Sequence, residues 1–175
     1  FHDWSTLKWL PIALWTLGTK NFLLSGRGRL EREVALNLYL SRRGFLVPEI
    51  IHVSFGRKIL FMEFIEGESF VKIVKSTFSR GGYEYEKLRK FRDVGRLLAY
   101  AHRMKVSLGD CKPENFIVHE NGRIYFVDLE QASRNGDYAW DIAEFLYYSG
   151  HYINVASPSR VVEEAVREFI EGYIE

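Results

Sequence analysis

The chain has 175 residues, of which 47% are hydrophobic and 15% aromatic, enough apolar material for the core of one compact domain. Its 24 basic and 23 acidic residues leave a net charge of +1, which argues against direct nucleic-acid binding, because nucleic-acid binders normally carry a clear basic excess. A single cysteine, Cys111, excludes an internal disulfide framework and indicates a reducing, cytoplasmic compartment.

The most apolar stretch comes first, at residues 9–24. Pro11, Gly18 and Lys20 interrupt it, so its apolar runs are much shorter than the roughly 20 residues of a membrane-spanning helix. We expect this stretch to be buried against a neighbouring lobe, and contact with a membrane surface through its tryptophans is the less favoured alternative. The chain begins with Phe1 and not with Met, which indicates a fragment or a processed product.

The pattern then becomes helical. Residues 30–40 place apolar side chains at helical spacing and predict an amphipathic helix. Gly26 and Gly28 mark its expected start, and Gly44 lies just beyond its end, where a helix-terminating glycine is expected.

Two strand patterns follow the helix. Residues 50–55 and the nearly continuous apolar run 59–65 predict strands, and the turn at 56–58 predicts that they form a hairpin. A short helix is expected over 69–75 and a loop over 80–82.

The second half of the chain is mostly helical. Residues 86–104 carry the longest helical pattern, with apolar residues on one face. Two β-type runs follow at 115–119 and 123–127, and the Asn-Gly pair between them is a strong hairpin signal. Further helices are expected over 139–147 and 159–173.

Polar side chains concentrate around this second hairpin. Asp110 and Asn115 lie five positions apart in the loop that enters its first strand, and Asp128 closes its second strand. Phosphoryl transfer needs a carboxylate to accept the proton of the acceptor, and further oxygen ligands to hold Mg²⁺ against the phosphates. The hairpin is expected to bring Asn115 and Asp128 to the same end of adjacent strands. Taken singly, Asn115 is also explained as a turn residue, and Asp128 as an ordinary strand end.

These residues resemble the motifs of a known family. Residues 112–115, Lys-Pro-Glu-Asn, resemble the catalytic loop H-R-D-x-x-x-x-N of eukaryotic-type protein kinases, and 127–129 resemble the start of the D-F-G motif. Gly109 before Asp110 is more similar to an atypical branch with Bud32 kinases, RIO kinases, lipopolysaccharide kinases and aminoglycoside phosphotransferases. The resemblance covers about residues 30–173.

The resemblance implies roles around the catalytic loop. Asp110 is expected to be the catalytic base, and Lys112 to neutralise the transferring phosphate, with a solvated charge as the alternative for Lys112. Asn115 and Asp128 are expected to hold Mg²⁺ and so to contact the ATP cofactor. Asp141 resembles the aspartate that anchors the catalytic loop from a following helix.

The resemblance also implies contacts to ATP from the first part of the chain. Met62 is expected to be the gatekeeper of a Bud32-like hinge, in which the backbone of Glu63 and Ile65 meets the adenine edge. Glu33 is expected to be the carboxylate that the regulatory helix contributes to the ATP site, and Glu31 competes with it for this role.

Departures from the family pattern carry their own expectations. Leu108 stands where the family usually has His, which removes a hydrogen bond between the catalytic loop and the metal-binding segment. Glu130 replaces the usual glycine after Asp-Leu, which favours a rigid, constitutively set metal site. No Gly-rich phosphate loop is found, and neither Lys8 nor Lys20 lies in the context of an ATP-binding lysine. We therefore expect that part of the small lobe to be missing.

The implied fold is α+β and protein-kinase-like, with a truncated N-terminal lobe and a mostly helical C-terminal lobe that carries the inserted catalytic hairpin. We assign residues 1–67 to the small lobe with its regulatory helix and hinge, and 68–175 to the helical lobe. The expected function is transfer of the γ-phosphate of ATP to Ser or Thr of a protein substrate. A lipopolysaccharide or small-molecule kinase stays open, as does a non-catalytic scaffold or regulatory ATPase. A Bud32-like protein would also imply a larger tRNA-modification complex.

Overall fold

The computed structural model describes residues 26–79, 84–153 and 157–175. Within these ranges, five α-helices and small antiparallel sheets form a mixed architecture, and the predicted α+β class is confirmed. The apolar stretch 9–24, with its burial and membrane alternatives, and the expected loop at 80–82 lie outside the described residues, as do Lys8 and Lys20.

The first helix in the described residues, α1 (Gly26–Ser41), includes four residues before the predicted Leu30. Gly26 and Gly28 lie in the first turn of the helix as the structure describes it, near the start where the sequence places them. A glycine costs about 1 kcal/mol in a helix interior relative to alanine. Burial of one face of α1, with Leu30 fully inaccessible, outweighs that cost. Gly44, at φ +79°, follows the helix as predicted.

Strands β1 (Ile50–Ser54) and β2 (Ile59–Met62) form the predicted antiparallel hairpin. The prediction of a strand through residue 65 is wrong, because β2 ends three residues earlier. The Glu63 N–H donates to the Glu49 carbonyl at 2.8 Å, and Pro48, which would pair next, has no N–H to continue the ladder.

A second antiparallel sheet has three strands, which in spatial order are β3 (Gly67–Ser69), β5 (Phe116–His119) and β6 (Ile124–Phe126). Strands β5 (Phe116–His119) and β6 (Ile124–Phe126) form the predicted Asn-Gly hairpin, and Gly122 in its turn has φ +81°. Strand β3 (Gly67–Ser69) is not predicted from the sequence. A Cβ on Gly67 would lie 2.3 Å from the Val118 carbonyl oxygen, so β3 approaches β5 at a residue without a side chain.

The remaining helices match the predicted ones to within a few residues. They are α2 (Phe70–Thr77), α3 (Tyr85–Arg103), α4 (Tyr138–Gly150) and α5 (Ser159–Ile174). Helices α3 and α5 pack closely, because a Cβ on Gly95 or Gly172 would lie 2.1 Å from a backbone oxygen of the other helix. No helix in the described ranges is long and apolar enough to cross a membrane.

The core lies beneath the second hairpin and fixes its position. Its ring centroids are 5.2 to 6.4 Å apart, and these rings belong to Phe70, Phe91, Phe116 and Phe145. The short strands β4 (Val106–Ser107) and β7 (Ser133–Arg134) pair with each other. The segment between β4 and β7 therefore begins and ends at neighbouring strands, and it contains the predicted catalytic residues.

Candidate functional site

The loop between β4 and β5 is anchored by Asp141 of α4. This carboxylate is fully buried and accepts hydrogen bonds from the N–H groups of Leu108 at 2.6 Å and Gly109 at 2.9 Å. His102 adds a third contact, with its Nε2 2.9 Å from Asp141 Oδ2. Gly109 has φ +78°, and a Cβ there would lie 2.3 Å from the Gln131 carbonyl oxygen. The loop geometry thus requires a glycine before Asp110.

Asp110, Lys112 and Asn115 form one connected cluster. The Asp110 side chain is buried, and Lys112 Nζ lies 2.7 Å from its Oδ1. Asn115 Nδ2 donates to the backbone carbonyl of Asp110 at 2.8 Å. Burial alone would lower the pKa of Lys112, but the hydrogen bond and negative charge of Asp110 outweigh it, so that pKa is raised. Lys112 therefore carries its positive charge at neutral pH.

The hairpin brings Asp128 to the same end as this cluster. The Val127 N–H donates to the Asn115 carbonyl at 2.9 Å, so Asn115 and Asp128 flank one end of the paired strands. Asp128 has φ +71°, which is uncommon for a residue other than glycine. Its Oδ1 accepts a hydrogen bond from the Glu130 N–H at 3.3 Å, a local bond by which aspartate stabilises a turn.

Glu33 approaches this turn from α1. The pKa of its carboxyl is raised to about 8, mainly by burial and then by the negative charge of Asp128, against a hydrogen bond from the Leu129 N–H. Glu31 instead has half of its side chain exposed and lies in an ion pair on the solvent side of the helix. Of the two candidates, Glu33 is the one that the fold places beside Asp128.

The predicted hinge residues lie at the end of β2, outside the Asp110 cluster. Met62 is partly buried, Glu63 is exposed and Ile65 is buried. Among the described residues, neither the Glu63 carbonyl nor the Ile65 N–H has a hydrogen-bond partner. A backbone carbonyl and a backbone N–H two residues apart are the acceptor and donor that the predicted contact with an adenine edge needs.

Three side chains near the site were not predicted from the sequence. Glu144 accepts the Cys111 N–H at 2.9 Å, and the Tyr148 ring lies 5.1 Å from Lys112 Nζ. Both belong to α4 at helical spacing from the anchoring aspartate, which is a signal that could have identified them. Arg29 is buried one turn before the predicted regulatory glutamate, and its Nη1 lies 3.5 Å from Glu130 Oε1. The four-residue spacing on α1 was the available signal for Arg29.

The oxygen atoms of this site suit Mg²⁺. Bonding of the Asn115 NH₂ group to the Asp110 carbonyl directs the amide oxygen of Asn115 away from that carbonyl, and Asp128 adds a carboxylate. In nucleotide sites Mg²⁺ is typically held by one or two carboxylates together with substrate phosphates. Over residues 26–79, 84–153 and 157–175, no three His, Cys, Asp or Glu side chains gather into a fuller metal site. Asn115 and Asp128 thus fit a Mg²⁺ ion that would be coordinated by the protein and by substrate phosphates together.

Comparison with known proteins gives matches in one superfamily. The profile of the lipopolysaccharide kinase (Kdo/WaaP) family matches residues 18–173. The chain is 28% identical over 150 residues to KEOPS complex subunit Bud32 of Pyrococcus abyssi, which covers 84% of this chain and 63% of that protein. It is 41% identical over 70 residues to a MAP kinase kinase of Saccharomyces cerevisiae, covering 39% of this chain and 14% of that one.

The name of a third relative describes it as an inactive kinase. The chain is 28% identical over 110 residues to an inactive serine/threonine-protein kinase of Mus musculus, covering 63% of this chain and 18% of that protein. The chain spans less than two thirds of the length of each of these three relatives. Each match therefore covers only a part of the relative.

Proposed function

The chain belongs to the lipopolysaccharide kinase (Kdo/WaaP) family, and from this premise we propose an ATP-dependent phosphotransferase that uses Asp110 as its base. The family is kinase-like, and the α+β fold agrees with it. The observation that carries the proposal is the connected cluster of Asp110, Lys112 and Asn115, which shares one hairpin end with Asp128. We assign residues 1–67 to the small lobe and 68–175 to the helical lobe.

Asp110 would receive the proton of the acceptor hydroxyl as the phosphate is transferred. The position of Asp110 is set by the loop that Asp141 anchors and by the hydrogen bond that the Asn115 side-chain amide donates to the Asp110 backbone carbonyl. The Lys112 ammonium lies 2.7 Å from the Asp110 carboxylate and adds positive charge where the phosphate carries negative charge. Asp110 and Lys112 would thus act as base and charge partner on one rigid loop.

Asn115 and Asp128 would hold Mg²⁺, which supplies charge neutralisation of the ATP phosphates when bound. The hydrogen bond from Asn115 Nδ2 fixes its amide plane, and the Glu130 N–H orients Asp128. Glu33 is buried next to Asp128 and would contribute to the same ATP site. The backbone of Glu63 and Ile65, beside Met62, would meet the adenine edge.

We propose a protein hydroxyl, of Ser or Thr, as the first acceptor candidate. Its support is the similarity over 70 residues to a protein whose name states that it phosphorylates another kinase. A sugar hydroxyl of a lipopolysaccharide-like molecule is the second candidate, and the family description favours it. The match to a complex subunit supports a larger assembly, and Cys111, the single cysteine of the chain, supports a reducing, cytoplasmic location.

A non-catalytic scaffold is the third reading, since one relative is named as inactive. The presence of Asp110, Asn115 and Asp128 in one arrangement speaks against a degenerate site.

The test is transfer of label from γ-labelled ATP. The full chain is incubated with Mg²⁺ and either a generic protein acceptor or a lipopolysaccharide preparation, beside Asp110→Ala and the surface control Asp137→Ala. Label on protein that Asp110→Ala abolishes and the control retains supports a protein kinase. Label on the saccharide alone supports the second candidate. Transfer that persists in Asp110→Ala refutes the assignment of the base.

A further inference from the structure

A buried ion pair joins α1 to the turn that carries Asp128. Arg29 is 2% exposed and Glu130 is 8% exposed, and their closest charged atoms are 3.5 Å apart. The two residues are separated by 101 positions in the chain, so the pair connects elements that no local structure holds together. Removing one member would take a charge partner away from the other inside the fold, where charges are costly to bury.

The same two elements meet at a second point. One helical turn after Arg29, the Glu33 carboxyl accepts a hydrogen bond from the Leu129 N–H. Within the turn, the Glu130 N–H donates to Asp128 Oδ1 at 3.3 Å. Helix α1 therefore contacts the two residues that follow Asp128. It contacts Leu129 at its backbone N–H and Glu130 at its side chain.

This double contact bears on the direction in which Asp128 points. Asp128 has φ +71°, a conformation that residues other than glycine rarely adopt without support from their surroundings. The backbone N–H that orients its carboxylate belongs to Glu130, whose side chain is fixed by Arg29. A shift of α1 would therefore move both the orienting N–H and the carboxylate.

We propose that Arg29 and Glu130 are positioning residues, which hold the turn 128–130 against α1 and thereby set the metal-binding direction of Asp128. The proposal rests on the proposed function, because it assigns Asp128 to Mg²⁺. It also gives a physical basis for a metal site that is set without a separate activating step. A purely structural ion pair would stabilise the fold equally well and would leave the affinity for Mg²⁺ unchanged.

The experiment measures the Mg²⁺ concentration for half-maximal ATP binding by the full chain, three single variants and one double variant. Glu130→Gln keeps the size of the side chain and removes its charge, and Arg29→Met removes the partner. Arg27→Met is the matched control, because Arg27 forms a 2.8 Å ion pair with Glu31 on the exposed side of the same helix. Amide hydrogen exchange at Leu129 and Glu130 is followed in parallel.

We expect Glu130→Gln and Arg29→Met to raise the half-maximal Mg²⁺ concentration by about 10-fold to 100-fold, the usual effect of removing a residue that orients a metal ligand. The Arg29→Met/Glu130→Gln double variant should raise the half-maximal Mg²⁺ concentration little more than either single change, because each single change already removes the same interaction. Exchange at the two amides should accelerate in these variants and stay unchanged in Arg27→Met.

An unchanged Mg²⁺ requirement in a folded Glu130→Gln chain would overturn the proposal, even if its stability fell. If Arg29→Met does not fold, Arg29→Gln replaces it, because glutamine also removes the charge, and an unaltered Mg²⁺ requirement and exchange rate would be equally contradictory. Absence of Mg²⁺-dependent ATP binding in the unsubstituted chain would instead refute the proposed function. The exchange measurement then still decides whether Arg29 and Glu130 hold the turn.

Discussion

Replacing Asp141 with asparagine tests how the catalytic loop is held. Asp141 Oδ2 accepts from the Leu108 N–H and contacts His102, while Oδ1 accepts from the Gly109 N–H. Asparagine has the same shape but one NH₂ group, so at least one backbone N–H would face another donor. A hydrogen bond to a charged group contributes about 1.5 to 3 kcal/mol, and a buried unsatisfied donor costs about 1 to 3 kcal/mol. We therefore expect Asp141→Asn to lower the free energy of unfolding by about 3 kcal/mol.

The assay is urea unfolding combined with amide hydrogen exchange. Exchange at Leu108 and Gly109 should accelerate in Asp141→Asn, and phosphate transfer should fall, because the loop that carries Asp110 loses its anchor. Asp137→Ala is the control, since Asp137 caps the same helix through the Trp140 N–H at 3.1 Å and should cost only about 1 kcal/mol. A loss below about 1 kcal/mol in Asp141→Asn, with unchanged exchange at both amides, would refute this reasoning.

Three further changes have defined outcomes. The folded-state pKa of Glu33 is raised to about 8, so the native chain binds this proton more tightly than the unfolded chain. The free energy of unfolding should therefore fall as pH rises from about 5 to about 8. Glu33→Gln should lack this fall when urea unfolding is measured without Mg²⁺ or nucleotide. Gly109→Ala should abolish transfer and lower the melting temperature, because its Cβ would lie 2.3 Å from the Gln131 carbonyl oxygen at φ +78°. Gly95→Ala should cost about 1 to 3 kcal/mol in urea unfolding with little effect on Mg²⁺ dependence, since its Cβ would lie 2.1 Å from the Phe169 carbonyl oxygen. Wild-type stability in either glycine variant would contradict the close approach.

The elements that the sequence predicted well are those with a local signal. Helix α3 follows from apolar residues on one face, and the hairpin β5–β6 follows from an Asn-Gly pair whose glycine has φ +81°. The same hairpin led to the expectation that Asn115 and Asp128 share one strand end, which agrees with the structure. Their chemical roles stay predictions.

What the sequence did not reveal depends on distant contacts. Strand β3 has only three residues, and it exists because it pairs with a strand about 50 positions later. The Arg29–Glu130 pair spans 101 positions, and the Glu144 contact to the Cys111 N–H spans 33. No periodicity within one segment reports such pairs.

The central claim is that Asp128 binds the metal ion of Mg-ATP while Asp110 acts in the transfer step. The most direct measurement is calorimetric ATP binding to the full chain, with and without Mg²⁺, for the unsubstituted protein, Asp110→Ala and Asp128→Ala. The account predicts that Asp110→Ala keeps Mg²⁺-dependent ATP binding and that Asp128→Ala loses it. Normal Mg²⁺-dependent binding by Asp128→Ala, together with retained phosphate transfer, would contradict the account.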